Sequence, residues 1–250
     1  MKNKKTVRVW WVVGTGLYAA MWLGGVASYV LLGAPPPDAE WTAPVFLALA
    51  AALVLGYADS TERRVLLWGG LIGFGAEVLG VATGFPFGVY HYTATLAPKL
   101  LGVPLVLVAA WLVLFAYVRT FTRSPLWGAV WMTGIDLVID PLAAHSLSFW
   151  TWERGGLYYD IPWTNFAGWF GVSLILFTLF RKRGGRPYPA ARVVGAGLVL
   201  FFTIIALGTG LFLAGAIGLG LLGAHGITAI REARRSGAGM FPVYRDKPSR

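Results

Sequence analysis

Hydrophobic residues run in long blocks along this chain, and short polar stretches separate them. Eight blocks read as helices of about 20 residues, the length that crosses a bilayer core. They span Val9–Leu31, Thr42–Ala58, Val65–Thr83, Val103–Phe121, Leu126–Ala143, Asn165–Phe180, Val193–Leu207 and Leu211–Ile230. The last two form one apolar tract, divided here at Gly208-Thr209-Gly210, where glycines permit a tight turn. The pattern predicts an all-α polytopic membrane bundle of about eight transmembrane helices. Residues 1–230 form a single transmembrane domain, and 231–250 form a polar cytoplasmic tail. The first block is too long and too aromatic for a cleaved signal peptide, so it is read as a retained first helix.

Composition agrees. Hydrophobic residues make up 57% of the chain and charged residues 13%, with a mean hydropathy of +0.65, which is the membrane class. There is no cysteine, which excludes a disulfide framework and a thiolate metal site. The net charge of +10 would suggest nucleic acid in a soluble protein. With eight spans and both termini cytoplasmic, however, 19 of the 21 basic residues fall on the inner side, and only Lys99 and Arg154 fall outside. That asymmetry is the positive-inside pattern of a multi-pass protein of the plasma membrane. It assigns the charge to anionic lipid and leaves no role for nucleic acid.

Two outer loops are long and aromatic: "GFPFGVYHYTATLAPKLLGVP" and "HSLSFWTWERGGLYYDIPW". One reading is an interfacial aromatic belt. The other is a cover folded over a site, as loops of this length often are. Each loop closes on a Val-Pro or Ile-Pro step, a hint of a duplicated hairpin.

Candidate chemistry lies in the acids. Eight of the 11 sit in loops or the tail; Glu77, Asp136 and Asp140 sit within spans. At 1.5 Å per residue they lie roughly 18, 16 and 22 Å along their helices from the inner end. In a core about 30 Å thick, all three fall in the outer half, below the aromatic loops. Asp136 and Asp140, at i and i+4, share one helix face. No Lys or Arg falls in the core of a span, so these carboxyls are protonated, line water or bind a metal. A buried acid without a cationic partner is expensive in a membrane and marks a functional site by default. A neutral carboxylic acid beside a carboxylate supplies an acid and a base together. Arg154 is a candidate counter-ion from the loop above. Asn165, at the outer start of the sixth span, and Tyr90, His91, Tyr92, His145, Tyr158, Tyr159 and Asp160 extend the polar set. His91 reads as a proton relay, a lid contact or a plain interfacial residue. His225, near the inner end of the last span, reads as a packing or snorkelling residue. The glycines of "GLFLAGAIGLGLLGAHG" read as close helix contacts.

An acid, a base and aromatic walls inside a membrane suit chemistry on an isoprenoid. Protonation of an isolated alkene gives a carbocation, which aromatic faces stabilise. A carboxylate then activates water to attack it.

The blocks "GFPFGVYHYT", "APKLLGVP", "DLVIDP" and "FWTWERGGLYYDIPWTNFAGW" resemble the signature blocks of the membrane carotenoid-biosynthesis proteins. That family includes bisanhydrobacterioruberin and γ-carotene 1′,2′-hydratases. The resemblance covers roughly residues 70 to 170. It implies a carotenoid 1,2-hydratase of the hydro-lyase class that needs no cofactor and no metal. Such an enzyme adds water across the terminal C1,C2 double bond of an acyclic ψ end group. The implied substrates are lycopene, γ-carotene or a C50 carotenoid of the bisanhydrobacterioruberin type, met in membrane lipid. The resemblance points to Asp136 and Asp140, with Glu77 just upstream of the first block. Where the family pattern leads us to expect glycine before the Ile-Pro step, this chain has Asp160.

The residues leave the roles open. Either Asp140 or Glu77 is the neutral acid and Asp136 activates water, or the order is reversed. Asn165 and Tyr90 position water; Trp150, Trp152 and Tyr159 line the cation site. Two rivals remain. A membrane prenyltransferase needs two aspartate-rich motifs for Mg²⁺-diphosphate, and this chain has one Asp pair, away from the basic loops. A proton-coupled transporter needs polar groups at several depths, and the inner halves of the spans have few.

Overall fold

The computed structural model describes residues 4–34, 36, 38–184 and 188–235. Lys2, Arg186 and the tail from residue 236 lie outside them. Among the described residues, eight α-helices form the bundle: α1 Lys4–Leu31, α2 Thr42–Tyr57, α3 Ser60–Thr83, α4 Leu107–Arg119, α5 Pro125–Pro141, α6 Trp163–Leu179, α7 Pro189–Gly208 and α8 Phe212–Arg235. By length and composition, α3, α5 with the turn that follows it, α7 and α8 can each cross a membrane. The architecture is all-α, as the hydrophobic blocks predict.

Several helices extend past their apolar blocks into the flanking polar residues (α1, α3, α7 and α8), and two boundaries have a clear local reason. Helix α3 starts five residues before the apolar block. The Asp59 side chain caps it, accepting from the Thr61 and Glu62 amides at 2.9 and 2.8 Å. Helix α4 starts four residues later than expected, because Val103–Pro104 (β3) pairs with Lys99–Leu100 (β2). At about 20 Å, α4 is too short to span the core alone. It does not meet lipid as a span would: Trp111 to Arg119 are all buried, and α2, α3, α5 and α7 surround it. The break between α7 and α8 falls at Thr209-Gly210, with Gly210 at φ +82°.

The glycines of α8 divide. Gly215 and Gly218 press on Leu207 and Thr203 of α7, where a Cβ would come within 2.4 and 2.1 Å of a side-chain atom. Gly220, Gly223 and Gly226 face open space and so lack the close contact expected of the whole run. His225 is buried against the rings of Tyr117 and Phe121, each 5.2 Å away.

One end of the bundle is roofed by the two long loops, which pair with each other. Tyr90–Tyr92 (β1) and Trp150–Trp152 (β4) run antiparallel, with Tyr90 opposite Trp152, His91 opposite Thr151 and Tyr92 opposite Trp150. Both loops also carry the tight turn that the repeated X-Pro step hinted at. In the first, Leu101 and Gly102 have φ of +53° and +82°, between strands β2 and β3. In the second, Tyr159 and Asp160 have φ of +48° and +54°, between the bridged residues Tyr158 and Ile161. Two successive positive φ values make the tight hairpin turn that favours Gly, Asn or Asp. Asp160 therefore occupies a left-handed position that glycine fills in the sister turn, and aspartate is among the side chains that tolerate it.

The opposite end holds a buried ion pair. Arg119, the last residue of α4, is 2% exposed. It donates from Nε and Nη2 to the two Glu62 oxygens at 3.0 and 3.1 Å. Its remaining bonds go to the carbonyls of Phe180 and Arg183, at 3.1 and 2.9 Å. Glu62 was counted among the loop acids and Arg119 among the lipid-facing bases; the fold buries both.

Candidate active site

Helix α5 supplies Asp136 and Asp140, and the proline after Asp140 shapes the site. Pro141 has no N–H, so the Leu137 carbonyl loses its helical partner. Tyr158 from the second loop donates to that carbonyl at 2.7 Å. The chain then leaves α5 through a π-helical turn, Leu142–Ser146. The roof is thus tied to α5 one residue beyond Asp136.

Glu77 lies on α3 between two glycines of the same face. A Cβ on Gly73 would come within 2.3 Å of the Trp111 ring, and one on Gly80 within 3.0 Å of Tyr90 Oη. Their absence lets Trp111 of α4 and Tyr90 of β1 close on Glu77 from both sides. Trp111 Nε1 donates to Glu77 Oε1 at 3.0 Å, and Tyr92 Oη to Oε2 at 2.9 Å. Tyr90 Oη donates to the same Oε2. Burial, followed by the Glu77 charge, pushes both tyrosine hydroxyls up, so they stay protonated.

The two aspartates share one amide. Asn165 Nδ2 donates to Asp136 Oδ2 and to Asp140 Oδ2, both at 2.8 Å. An amide nitrogen has two hydrogens, so Asn165 commits both and retains its carbonyl oxygen as an acceptor. Trp150 Nε1 donates to Asp140 Oδ1 at 2.7 Å.

All three acids line one largely enclosed cavity of about 80 Å³, with Tyr90, Tyr92, Trp150, Trp152, Asn165 and Trp169. Its remaining wall is aliphatic or aromatic and contains no Lys or Arg. Trp111 backs Trp169 with ring centroids 4.0 Å apart. Among the described residues, no three His, Asp or Glu side chains are grouped to hold a metal ion.

Of the residues expected at the site, Glu77, Asp136, Asp140, Asn165, Tyr90, Tyr92, Trp150 and Trp152 meet at this cavity. His91 and Tyr159 do not. His91 points outward from β1 and contacts Glu153 at 2.9 Å, with both side chains more than half exposed. Strand alternation requires this, because its neighbours Tyr90 and Tyr92 point inward. Tyr159 sits in the left-handed turn; its hydroxyl accepts from the Leu213 amide at 3.1 Å, which ties the roof to α8. His145 contacts the Tyr159 carbonyl at 2.7 Å. Arg154 is exposed and does not line the cavity. The sequence reading missed Trp111 and Trp169, which lie in apolar helices and look there like packing residues. The signal for Trp111 was on its neighbour: two glycines flanking Glu77 on one helix face.

Comparison with known proteins adds a family. The carotenoid biosynthesis protein family matches residues 42–225, well beyond the stretch that carries the motif resemblance. The chain is 34% identical over 152 residues to a protein named bisanhydrobacterioruberin hydratase from Haloarcula japonica. That match covers 53% of this chain and about half (51%) of the relative's length. No solved structure matches. The eight-helix bundle, its motif blocks and a family match over most of its length agree: this chain belongs to the carotenoid biosynthesis protein family.

Proposed function

We propose that this protein is a carotenoid hydratase of the plasma membrane, acting on an acyclic ψ end group and requiring no cofactor. One observation carries the reading: three carboxyls share a single aromatic-walled cavity, with no basic partner among the described residues that line it. The relative's name supports the substrate class.

The donors around each acid suggest its role. Glu77 accepts from a tryptophan and two tyrosines, a set that suits a carboxylate and suits Glu77 as a fixed negative charge facing a developing cation. Asp140 accepts on both oxygens, from Trp150 and Asn165. Asp136 accepts from Asn165 on Oδ2, which leaves Oδ1 to carry the transferable proton. Asp136 is therefore the acid. It gives H⁺ to C2 of the terminal alkene, and the C2 π pair forms the new C–H bond. The cation at tertiary C1 lies against the Trp150, Trp152 and Trp169 faces. Water near the Asn165 carbonyl forms the C1–O bond and passes its proton to Asp140. Exchange within the amide-bridged pair returns that proton to Asp136, so the net change is addition of one water.

Expression in a lycopene- or γ-carotene-producing bacterium tests the reading. Mass spectrometry should show pigment heavier by one water. Unchanged pigment alongside folded, membrane-inserted protein would refute it.

A further inference from the structure

The acid cavity, at about 80 Å³, holds a few carbons and a water. A C40 chain whose end group reaches Asp136 must therefore lie mostly elsewhere. A second hollow of about 280 Å³ lies between α1, α2 and α7. Its wall is almost wholly apolar, with Gly24, Gly25 and Ser28 from α1, Ala43 and Phe46 from α2 and Phe201 from α7. The small α1 residues thin the wall on the outside of the bundle, where Gly24 is exposed. Leu47, Phe149 and Phe202 line both this hollow and the acid cavity, so one layer of side chains separates the two. Phe149 precedes Trp150, whose N–H holds Asp140. The larger groove between α2 and α4 shares no lining residue with the acid cavity.

We infer that the hollow between α1, α2 and α7 is the subsite for the polyene chain, entered from lipid across Gly24, with Leu47, Phe149 and Phe202 as the collar through which the end group passes to the acids. The inference rests on the hydratase reading for the identity of the chain. The subsite is mostly apolar, with hydroxyls only from Ser28, Tyr29 and Thr42 and no charged side chain in its wall, which matches a hydrocarbon and offers no cation to a diphosphate. The collar also selects shape. A slim acyclic end passes three side chains more easily than a cyclised one.

Gly24 provides the test. Gly24 lines the hollow and a Cβ there meets nothing within 4 Å, so Gly24→Trp is expected to place its indole across the entrance. Gly16, also open and on the same helix but outside the hollow, serves as control. Lycopene binding to purified protein in lipid nanodiscs is read by quenching of tryptophan fluorescence. Wild type, Gly16→Trp and the inactive Asp136→Asn should bind alike. Gly24→Trp should bind about tenfold more weakly or worse, since excluding even two buried CH₂ groups costs that much. Equal binding by Gly24→Trp, or no binding by wild type, overturns the subsite. Failure of the hydratase reading looks different: lycopene bound normally and recovered without added water.

Discussion

The bundle buries carboxylates at both ends and treats them in opposite ways. At one end Glu62 meets Arg119 in a two-point ion pair, and backbone carbonyls take the guanidinium's remaining donors. At the other, Glu77, Asp136 and Asp140 face a shared cavity and meet only neutral donors. A buried charge that is fully paired holds elements together; here the pair ties α3 and α4 to the segment after α6. Buried acids without a cation cost stability; under the proposed function, what they gain is a proton free to move. The contrast separates a structural buried charge from a chemical one without reference to any relative.

Substitutions break that contrast in graded ways. The largest effect is expected at the chemical end. Asp136→Asn and Asp140→Asn keep an acceptor for Asn165 but remove the proton transfer, so hydration should fall by about 10²–10⁴-fold, the usual worth of a positioned acid or base. Circular dichroism and thermal melting in detergent should stay near wild type. At the structural end the readouts exchange places. Arg119→Met takes away the two-point partner of Glu62 and leaves it the more distant Arg123 guanidinium, 4.0 Å away, so it should cost up to about 3–5 kcal/mol of stability, measured by unfolding, with hydration per folded molecule unchanged. The double change Arg119→Met with Glu62→Leu should recover part of that loss, because the buried carboxylate that lost its closest partner is gone. A smaller effect is expected for Trp150→Phe, which deletes one hydrogen bond to Asp140 worth about 1.5–3 kcal/mol. The hydration rate should drop, and the melting temperature should fall by several degrees. The smallest is the exposed His91–Glu153 contact, where His91→Ala should change stability by no more than about 1 kcal/mol and leave hydration intact. A large loss of activity at His91 would bring back its role as a proton relay.

The parts of this arrangement that were legible in the sequence follow from one-dimensional physics. Apolar blocks mark the helices, and the i, i+4 spacing places Asp136 and Asp140 on one face. Depth along a helix puts Glu77 level with them. The rest depends on neighbours that no local pattern names. Strands β1 and β4 are three residues each and 60 positions apart in sequence, so nothing local announces their pairing. Trp111 and Trp169 read as packing residues until α3 and α6 lie beside them. The Glu62–Arg119 pair was hidden because both residues fall at helix ends, where charge usually means solvent. His91 was drawn into the site by its neighbours, although strand alternation separates it from them.

The ladder that joins the loops has a consequence for how the protein is assembled. Side chains alternate along a strand, so Tyr90 and Tyr92 reach inward together, and Trp150 and Trp152 do so from the facing strand. A slip by one position in either strand would turn that strand's aromatic pair outward. In β1 it would present His91 and cost Glu77 two donors; in β4 it would present Thr151 and cost Asp140 one. Both strands must therefore be in register for the chamber to be complete: until residues 150–152 have been made and have docked on 90–92, a nascent chain carries its acids without the side chains that line the cavity with them.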